Sequence, residues 1–446
     1  MSYTKKIFLY LLAGLFLLSC PCSFLSAADG KEKKEAVKPE KKEELKLPAI
    51  PVPVPDSRKA LTEDPLPYED ITFFFRTLEM IRNAYVDEDK VTTKDLLQKA
   101  LRGLVRELDP FSSYISEEQA SHLEEDTKGS FAGIGVTIAG RGHTVEIINV
   151  FDGSPAEKAG VRAGDYLLSV DGRGVSGLNV DECVKLIKGE KGSLVRLQVI
   201  RKGEKGPLDL TVRRGDVKIN TVINTALLRN AYGYLRITQF SATTAEDLAK
   251  AVEGFRKRNI KGLVIDLRNN PGGLLVSAIG TGSIFLETGR EIVSTSGRLP
   301  DSKRSFRSQD VPKAPAWPVV ILINGNSASA AEIFAGALRD NSRAVLAGTR
   351  SFGKGSVQTI MPLGKDAGAL RLTTAKYFLP SGKTIHKKGI TPDIIIPLTH
   401  AEQFELASLS PGRMMRSEEE MKKTVQKDRQ LQRALDILHG IVIMEK

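Results

Sequence analysis

Two stretches of the chain, Gly262-Leu-Val-Ile-Asp-Leu267 and Val319-Val-Ile-Leu-Ile323, are apolar with one charged side chain between them. A strand with one wet face alternates polar and apolar residues; a strand covered on both faces does not. These runs therefore constrain the fold more than any other feature. They read as strands buried between layers. Helical patterns lie between and after them, including Ala245 to Phe255 and Ala331 to Leu338. Residues 215–400 form, on this reading, an α/β core.

The regions around that core have other textures. Residues 129–214 alternate short apolar runs with glycine: Gly133-Ile-Gly-Val-Thr-Ile138, Val145 to Val150, Tyr166 to Val170, Leu194 to Ile200 and Leu208 to Val212. Asp171-Gly172 is a turn signal, and Val180, Val184 and Ile187 put one apolar face on a short helix. This is a small β-rich module. Residues 65–128 carry two helical stripes, Ile71, Phe74, Phe75, Leu78, Ile81 and Tyr85, then Leu96 to Leu108, ended at Asp109-Pro110 because proline disfavours helix in the residue before it. In residues 401–446, Ser417 to about Ile441 reads as one charged helix with Leu431, Ala434, Leu435 and Leu438 on one side.

The first 28 residues read as an export signal. Lys5 and Lys6 precede an apolar run, Ile7 to Leu18, too short for a membrane span of about 20 residues. Ser26-Ala27-Ala28 supplies small residues for cleavage. Leu17-Leu18-Ser19-Cys20 is a competing lipoprotein-like box, and an uncleaved membrane anchor is the third option. Residues 29–64 are rich in Lys, Glu and Pro and cannot bury enough apolar surface to offset chain entropy, so they read as a disordered tether. Of the three cysteines, only Cys183 would survive cleavage, which excludes an intramolecular disulfide; it reads as a small buried thiol. The net charge of +11 comes from basic residues interleaved with Glu and Asp, without a basic, aromatic-studded helix, which argues against nucleic-acid binding. The compartment implied is extracytoplasmic, the periplasm or cell envelope.

Chemistry concentrates in the core. Ser329 sits in Asn324-Gly-Asn-Ser-Ala-Ser-Ala-Ala-Glu332, where a strand gives way to a helix. It reads as a nucleophile in the first helical turn, with Asn326 or Ser327 as N-cap. Free N–H groups at that helix start would favour an oxyanion. Merely capping the helix is the alternative role for these serines. A serine hydroxyl needs a base, and none of the five histidines, His122, His143, His386, His400 and His439, sits in a recognisable triad context. Each reads as a satisfied or exposed residue. Lys354, in Ser351-Phe-Gly-Lys-Gly-Ser-Val-Gln358, is the candidate base. A lysine titrating at ~10.4 works near neutrality only if burial lowers it by about 3 units. Gln358 is placed to hold the neutral amine. Asp266-Leu-Arg-Asn-Asn-Pro-Gly-Gly273 follows the first buried strand, and its Gly-Gly pair can turn N–H groups toward a carbonyl oxygen, though the same residues also make a plain turn.

The chain resembles the C-terminal processing peptidases, or tail-specific proteases, over nearly everything after the tether. The matching motifs run from Leu108-Asp-Pro-Phe-Ser112 through Gly153-Ser-Pro-Ala-Glu-Lys-Ala-Gly160, Ala163-Gly-Asp165, the Asp266–Gly273 loop, Ser327-Ala-Ser-Ala-Ala-Glu332 and Phe352-Gly-Lys-Gly355 to Gly389-Ile-Thr-Pro-Asp393. The resemblance implies a crotonase/ClpP-like protease core with an inserted PDZ domain at 129–214 and helical N- and C-terminal segments. It implies a Ser/Lys dyad, with Ser329 as nucleophile, Lys354 as general base and Gln358 orienting the lysine. Oxyanion donors would be the N–H of Ala330 and one from the Gly-Gly loop, with Gly272 preferred over Gly273. Ala331 departs from the family, where many members carry a further serine. Gly133, Ile134, Gly135 and Val136 would form the carboxylate-binding loop of the PDZ domain. No cofactor or metal is called for. Partners would be proteins with unstructured apolar C-termini, a membrane tether at the N-terminus, and a second copy or a regulatory protein. The apolar stripe of the C-terminal helix fits either a homodimer interface or docking on its own domain.

Two other readings compete. One is a non-catalytic PDZ scaffold with a hydrolase-like domain, which time-dependent cleavage would exclude. The other is a crotonase-like acyl-transfer enzyme, which acyl-CoA turnover without proteolysis would establish.

Overall fold

The computed structural model describes residues 67–116, 119, 129–142, 144–229, 231–364, 367–408 and 417–444. The expected export signal and tether lie outside the described residues, as do His122 and His143. Helix α1 (Tyr68–Ala84) buries none of its residues. Helix α2 (Thr93–Leu108) starts where Thr92 Oγ1 accepts the Asp95 N–H at 3.2 Å and stops, as expected, at Asp109, whose backbone is extended. Strand β1 (Ser113–Ile115) follows and pairs far along the chain.

The β-rich module begins with β2 (Ser130–Gly133), β3 (Val136–Arg141), β4 (Thr144–Val150) and the short helix α3 (Pro155–Lys158). It continues with β5 (Tyr166–Val170), β6 (Arg173–Gly174), α4 (Val180–Ile187), β7 (Leu194–Ile200) and β8 (Leu208–Arg213). Its antiparallel sheet runs β3-β4-β5-β7-β8, with β6 on β5. Asp171 and Gly172 both take positive φ, 49° and 79°, the geometry a two-residue hairpin turn requires. Cys183 is fully buried in this module's core. Strand β9 (Gly215–Lys218) pairs with β2, so the chain enters and leaves the module through a two-stranded stalk.

The core comprises β10 (Val222–Leu228), β11 (Tyr232–Ile237), α5 (Thr244–Lys257), β12 (Gly262–Asp266), α6 (Leu275–Phe285), β13 (Glu291–Gly297), β14 (Arg304–Arg307) and β15 (Val319–Ile323). After these come α7 (Ala330–Asp340), β16 (Val345–Gly348), β17 (Ser356–Pro362), β18 (Ala369–Phe378) and β19 (Ile394–Ile395). One sheet runs β10-β11-β12-β15-β16-β19 and is parallel from β11 onward. The other contains β1, β18, β13 and β14 in that order, with β17 also on β18. The reason for the two unbroken apolar runs is visible in their alternation. Leu263, Ile265 and Ile321 pack with Phe240, Phe255 and Phe334 on one face. Val264, Val320 and Leu322 pack with Leu431, Ala434, Leu435 and Leu438 on the other. Truncating one of these leucines or isoleucines to Ala costs about 2–5 kcal/mol.

The C-terminal segment differs from the single helix expected. After α8 (His400–Ser408) come two helices, α9 (Glu418–Val425) and α10 (Arg429–Met444). The break has a cause: Asp428 accepts the Leu431 N–H at 3.0 Å, starting α10 afresh, while its carboxylate also holds Arg268. The apolar stripe of α10 lies against the chain's own sheet, so that face is covered within one molecule. Among the described residues no helix is long and apolar enough to cross a membrane.

Candidate active site

Strands β12, β15 and β16 are parallel neighbours, so the loops after them leave the same sheet edge. That is where ligands bind in open α/β sheets. The three loops carry the Gly-Gly pair, Ser329 and Lys354.

Ser329 is the N-cap of α7 rather than a residue within its first turn, a correction to the sequence reading. Ser327 is not the cap because its hydroxyl donates to Leu267 O at 2.8 Å and accepts the Asn324 N–H at 2.9 Å, pinning the loop to the end of β12. Ser329 has φ 56° and ψ −117°. A non-glycine residue held there stores about 1–3 kcal/mol of strain, and a strained strand-to-helix turn is how several hydrolases present a nucleophile. The side chain is almost wholly buried, at 8% exposure. Ala330, the first helical residue, has an N–H with no helical acceptor.

The Gly-Gly loop presses on this serine. A Cβ at Gly272 would lie 2.8 Å from Ser329 Cβ and 2.6 Å from Ala328 O, and φ is 99° there, so only glycine fits. Its N–H donates to Asn270 Oδ1 at 2.8 Å. The N–H of Gly273 has no acceptor among the described residues. Asn270 is itself buried, its side-chain Nδ2 donating to Ile237 O at 2.8 Å and its backbone carbonyl accepting the Ala328 N–H.

Glu332 joins the serine and lysine loops. Its carboxylate accepts the N–H groups of Ser329 (2.9 Å), Gly353 (2.8 Å) and Lys354 (2.9 Å) and the Ser351 hydroxyl (2.5 Å). Burial raises the carboxyl above its ordinary value even though these four donors act to lower it. Lys354 is half-buried, and burial, with the charge of Arg371 adding, holds its amine below the usual lysine value. The amine lies 5.3 Å from the Phe111 ring centroid and has no hydrogen-bond or ion-pair partner among the described residues. Gln358 Nε2 donates to Ser356 Oγ at 2.8 Å and Thr373 Oγ1 at 3.4 Å, not to the lysine. The structure thus gathers the loops of all the expected core residues, while no hydrogen bond joins Ser329 Oγ to Lys354 or Lys354 to Gln358.

Earlier in the same loop, the largely covered Arg268 pairs with Asp266 and Asp428, both at 2.7 Å, and with Gln430 at 3.1 Å. Burial alone would raise Asp266, but the Arg268 charge outweighs it and holds the carboxyl low. This knot fixes the β12 loop to the start of α10.

The Gly133–Val136 loop lies at the head of β3. Ile134 O accepts the Ala156 N–H (2.8 Å), and Gly135, with φ 83°, sits where a Cβ would be 2.4 Å from Ser154. Next to it is an apolar pocket of about 60 Å³, bounded by Phe131, Ile134, Ile138, Val184 and Ile187.

The sequence reading assigned no role to Glu332, Phe111, Arg268 or Asp428. For Glu332 a signal existed, since Ser-x-x-Glu at a helix start is a capping pattern. His386 reads differently from expectation: its Nδ1 is buried without a partner among the described residues, and its ring lies 6.3 Å from Phe111. His439 is satisfied, Nδ1 lying 2.9 Å from the Tyr232 hydroxyl.

Residues 231–396 match the model of peptidase family S41, and residues 146–201 match that of the PDZ domain. A carboxy-terminal-processing protease of Bartonella bacilliformis is 41% identical over 345 residues, covering 76% of this chain and 77% of its own. The chain belongs to the carboxy-terminal processing proteases of peptidase family S41. It is a serine-type endopeptidase with a PDZ domain. The carboxy-terminal processing protease CtpA of Bacillus subtilis is 38% identical over 323 residues, covering 72% of this chain and 67% of its own. A solved structure described as an S41 protease from Bacteroides fragilis has a TM-score of 0.50 at 18% identity, covering 82% of this chain and 97% of its own, a likeness of fold.

Proposed function

We propose that this protease cleaves exported proteins near their C-termini by a Ser329/Lys354 dyad. The observation that carries the reading is the Glu332 carboxylate, which gathers the backbone N–H groups of Ser329 and Lys354 onto one buried point. The neutral Lys354 amine takes the proton from Ser329 Oγ as the oxygen attacks the scissile carbonyl. The Ala330 N–H and an N–H of the Gly-Gly loop receive the oxyanion. In this structure the Gly272 N–H is given to Asn270, so Gly273 is the readier donor unless the loop shifts. The lysine ammonium then protonates the leaving amine, and water releases the acyl-enzyme by the same route. Gln358 orients the lysine through Oε1, its Nε2 being held by Ser356 and Thr373.

The PDZ groove reads the tail. The Gly133–Val136 loop takes the terminal carboxylate, and the small apolar pocket takes an apolar last side chain. Export through the N-terminal signal brings the enzyme to extracytoplasmic substrates. The wet apolar face of α1, with Phe73 at 72% and Met80 at 70% exposure, supports self-association through the N-terminal helices.

The test is Ser329→Ala and Lys354→Ala, each assayed on a protein with an unstructured apolar tail. Loss of cleavage with tail binding retained is expected in both. Full activity in either variant refutes the dyad.

A further inference from the structure

The turn between α2 and β1 brings an aromatic ring from the N-terminal segment onto the candidate base. Asp109 Oδ1 accepts the N–H groups of Phe111 (2.7 Å) and Ser112 (2.9 Å), and Oδ2 accepts the Ser112 hydroxyl (2.6 Å). Burial would raise this carboxyl, but these donors outweigh it and hold it below its ordinary value. Ser112 Oγ in turn accepts the Thr373 N–H at 3.0 Å, and β1 pairs with β18 at Ser113 and Arg371. The turn is therefore pinned to the strand that also carries Gln358's partner, Thr373. From it the Phe111 ring reaches the Lys354 amine at 5.3 Å and meets Phe352 edge-on at 6.5 Å.

We propose that Phe111 is a positioning residue for proteolysis: its ring is the seat of the Lys354 amine and sets that amine's basicity. The proposal rests on Lys354 being the base. In this structure the amine has no polar partner among the described residues and makes no hydrogen bond with Gln358, so the ring face is the contact that seats it at rest. The ring acts on the amine in two opposed ways. Excluding water disfavours the ammonium, while the negative ring face attracts it. The charged or titratable groups around the seat are Arg371 on β18, Glu332 on α7, His386, whose ring lies 6.3 Å from that of Phe111, and, around His386, Lys376, Lys387 and Asp109. All of them stay when Phe111 alone is changed, so a shift in the amine's titration reports the ring.

The two effects separate by substitution. Phe111→Leu keeps an apolar cover and removes the ring face, so the ammonium loses its attraction. Phe111→Ala removes both and admits water. Phe111→Tyr keeps both. The experiment is the pH dependence of kcat/KM on an apolar-tailed substrate, where the acid limb reports the free enzyme's base. The limb of Phe111→Leu is expected about 0.4–1.5 pH units below wild type, the size of one ring–cation contact. The limb of Phe111→Ala is expected above that of Phe111→Leu, and that of Phe111→Tyr at wild type. Thermal unfolding checks each variant; if the Ala protein is unfolded, the Leu and Tyr pair decides. Coincident limbs in folded Leu and Tyr variants overturn the proposal and leave the dyad untouched, provided Lys354→Ala is inactive. An active Lys354→Ala removes the dyad and this proposal together.

Discussion

The serine loop and the lysine side chain sit at the same sheet edge and are held by opposite means. Around Ser329 the loop's hydrogen-bonding groups are committed: Ser327 to Leu267 and Asn324, the Ala328 N–H to Asn270, the Ser329 N–H to Glu332. The backbone is strained, and Gly272 lies against the Cβ. The Lys354 backbone is equally fixed, through Glu332, but its amine meets no polar group among the described residues, only an aromatic ring. The contrast fits the two tasks proposed for these residues. A nucleophile must be placed before the substrate arrives, because misplacement costs rate steeply. A base must lose its proton easily, and hydrogen bonds donated by the ammonium to charged acceptors would stabilise the protonated form instead.

The largest effect should come from removing the chemistry itself. Ser329→Ala and Lys354→Ala should each lower kcat by about 10³-fold or more, and the double variant should lose little further, as for residues acting as one unit. Additive losses would separate the two groups. Next is Gly272→Ala, whose methyl would collide with Ala328 O and Ser329 Cβ. About 10²-fold loss in kcat, comparable to losing an oxyanion donor, is expected, with unchanged tail binding; wild-type turnover would mean the serine loop is softer than its hydrogen bonds imply.

Glu332→Gln should be milder. It turns an amide NH2 toward donors that need acceptors, so a loss of about 2 kcal/mol in stability is expected from chemical denaturation. If Lys354→Met showed the same stability loss, the contrast between fixed serine and loosely held lysine would fail. The smallest effect should be of opposite sign. Burial lowers the Lys354 amine, so the unfolded chain binds more protons than the folded one between the lowered value and the ordinary 10.5. Stability from this group is absent at neutral pH and recovered as pH rises through the lowered value. Lys354→Met should therefore raise Tm by roughly 1–3 °C at pH 7, and the gain should shrink in scans toward pH 10.

Much of the architecture was legible because it follows from period and propensity. Leu194–Ile200 and Val319–Ile323 are strands with the bounds their apolar runs suggested, and the helix expected over Ala245 to Phe255 spans Thr244–Lys257. The helix start at Ser329 is ambiguous in sequence because Asn326, Ser327 and Ser329 are all small polar residues able to cap, and only the bond from Ser327 to Leu267, sixty residues away, decides between them. The break at Asp428 was invisible for the same kind of reason: a charged residue in an amphipathic run looks solvated until a distant arginine buries it in an ion pair.

The sequence alone determined that residues 262–267 and 319–323 would be buried strands, that a glycine pair and a small-residue serine run would follow them, and that a lysine loop lay nearby. Those are local properties, fixed by side-chain size, polarity and backbone freedom. The tertiary structure alone decided which groups meet. A carboxylate three residues past the serine reaches the lysine loop, an arginine in the Gly-Gly loop is claimed by the aspartate that starts the C-terminal helix, and a phenylalanine from the N-terminal segment covers the amine. Such contacts join residues up to hundreds apart, and their energies depend on burial and distance, which no local pattern encodes.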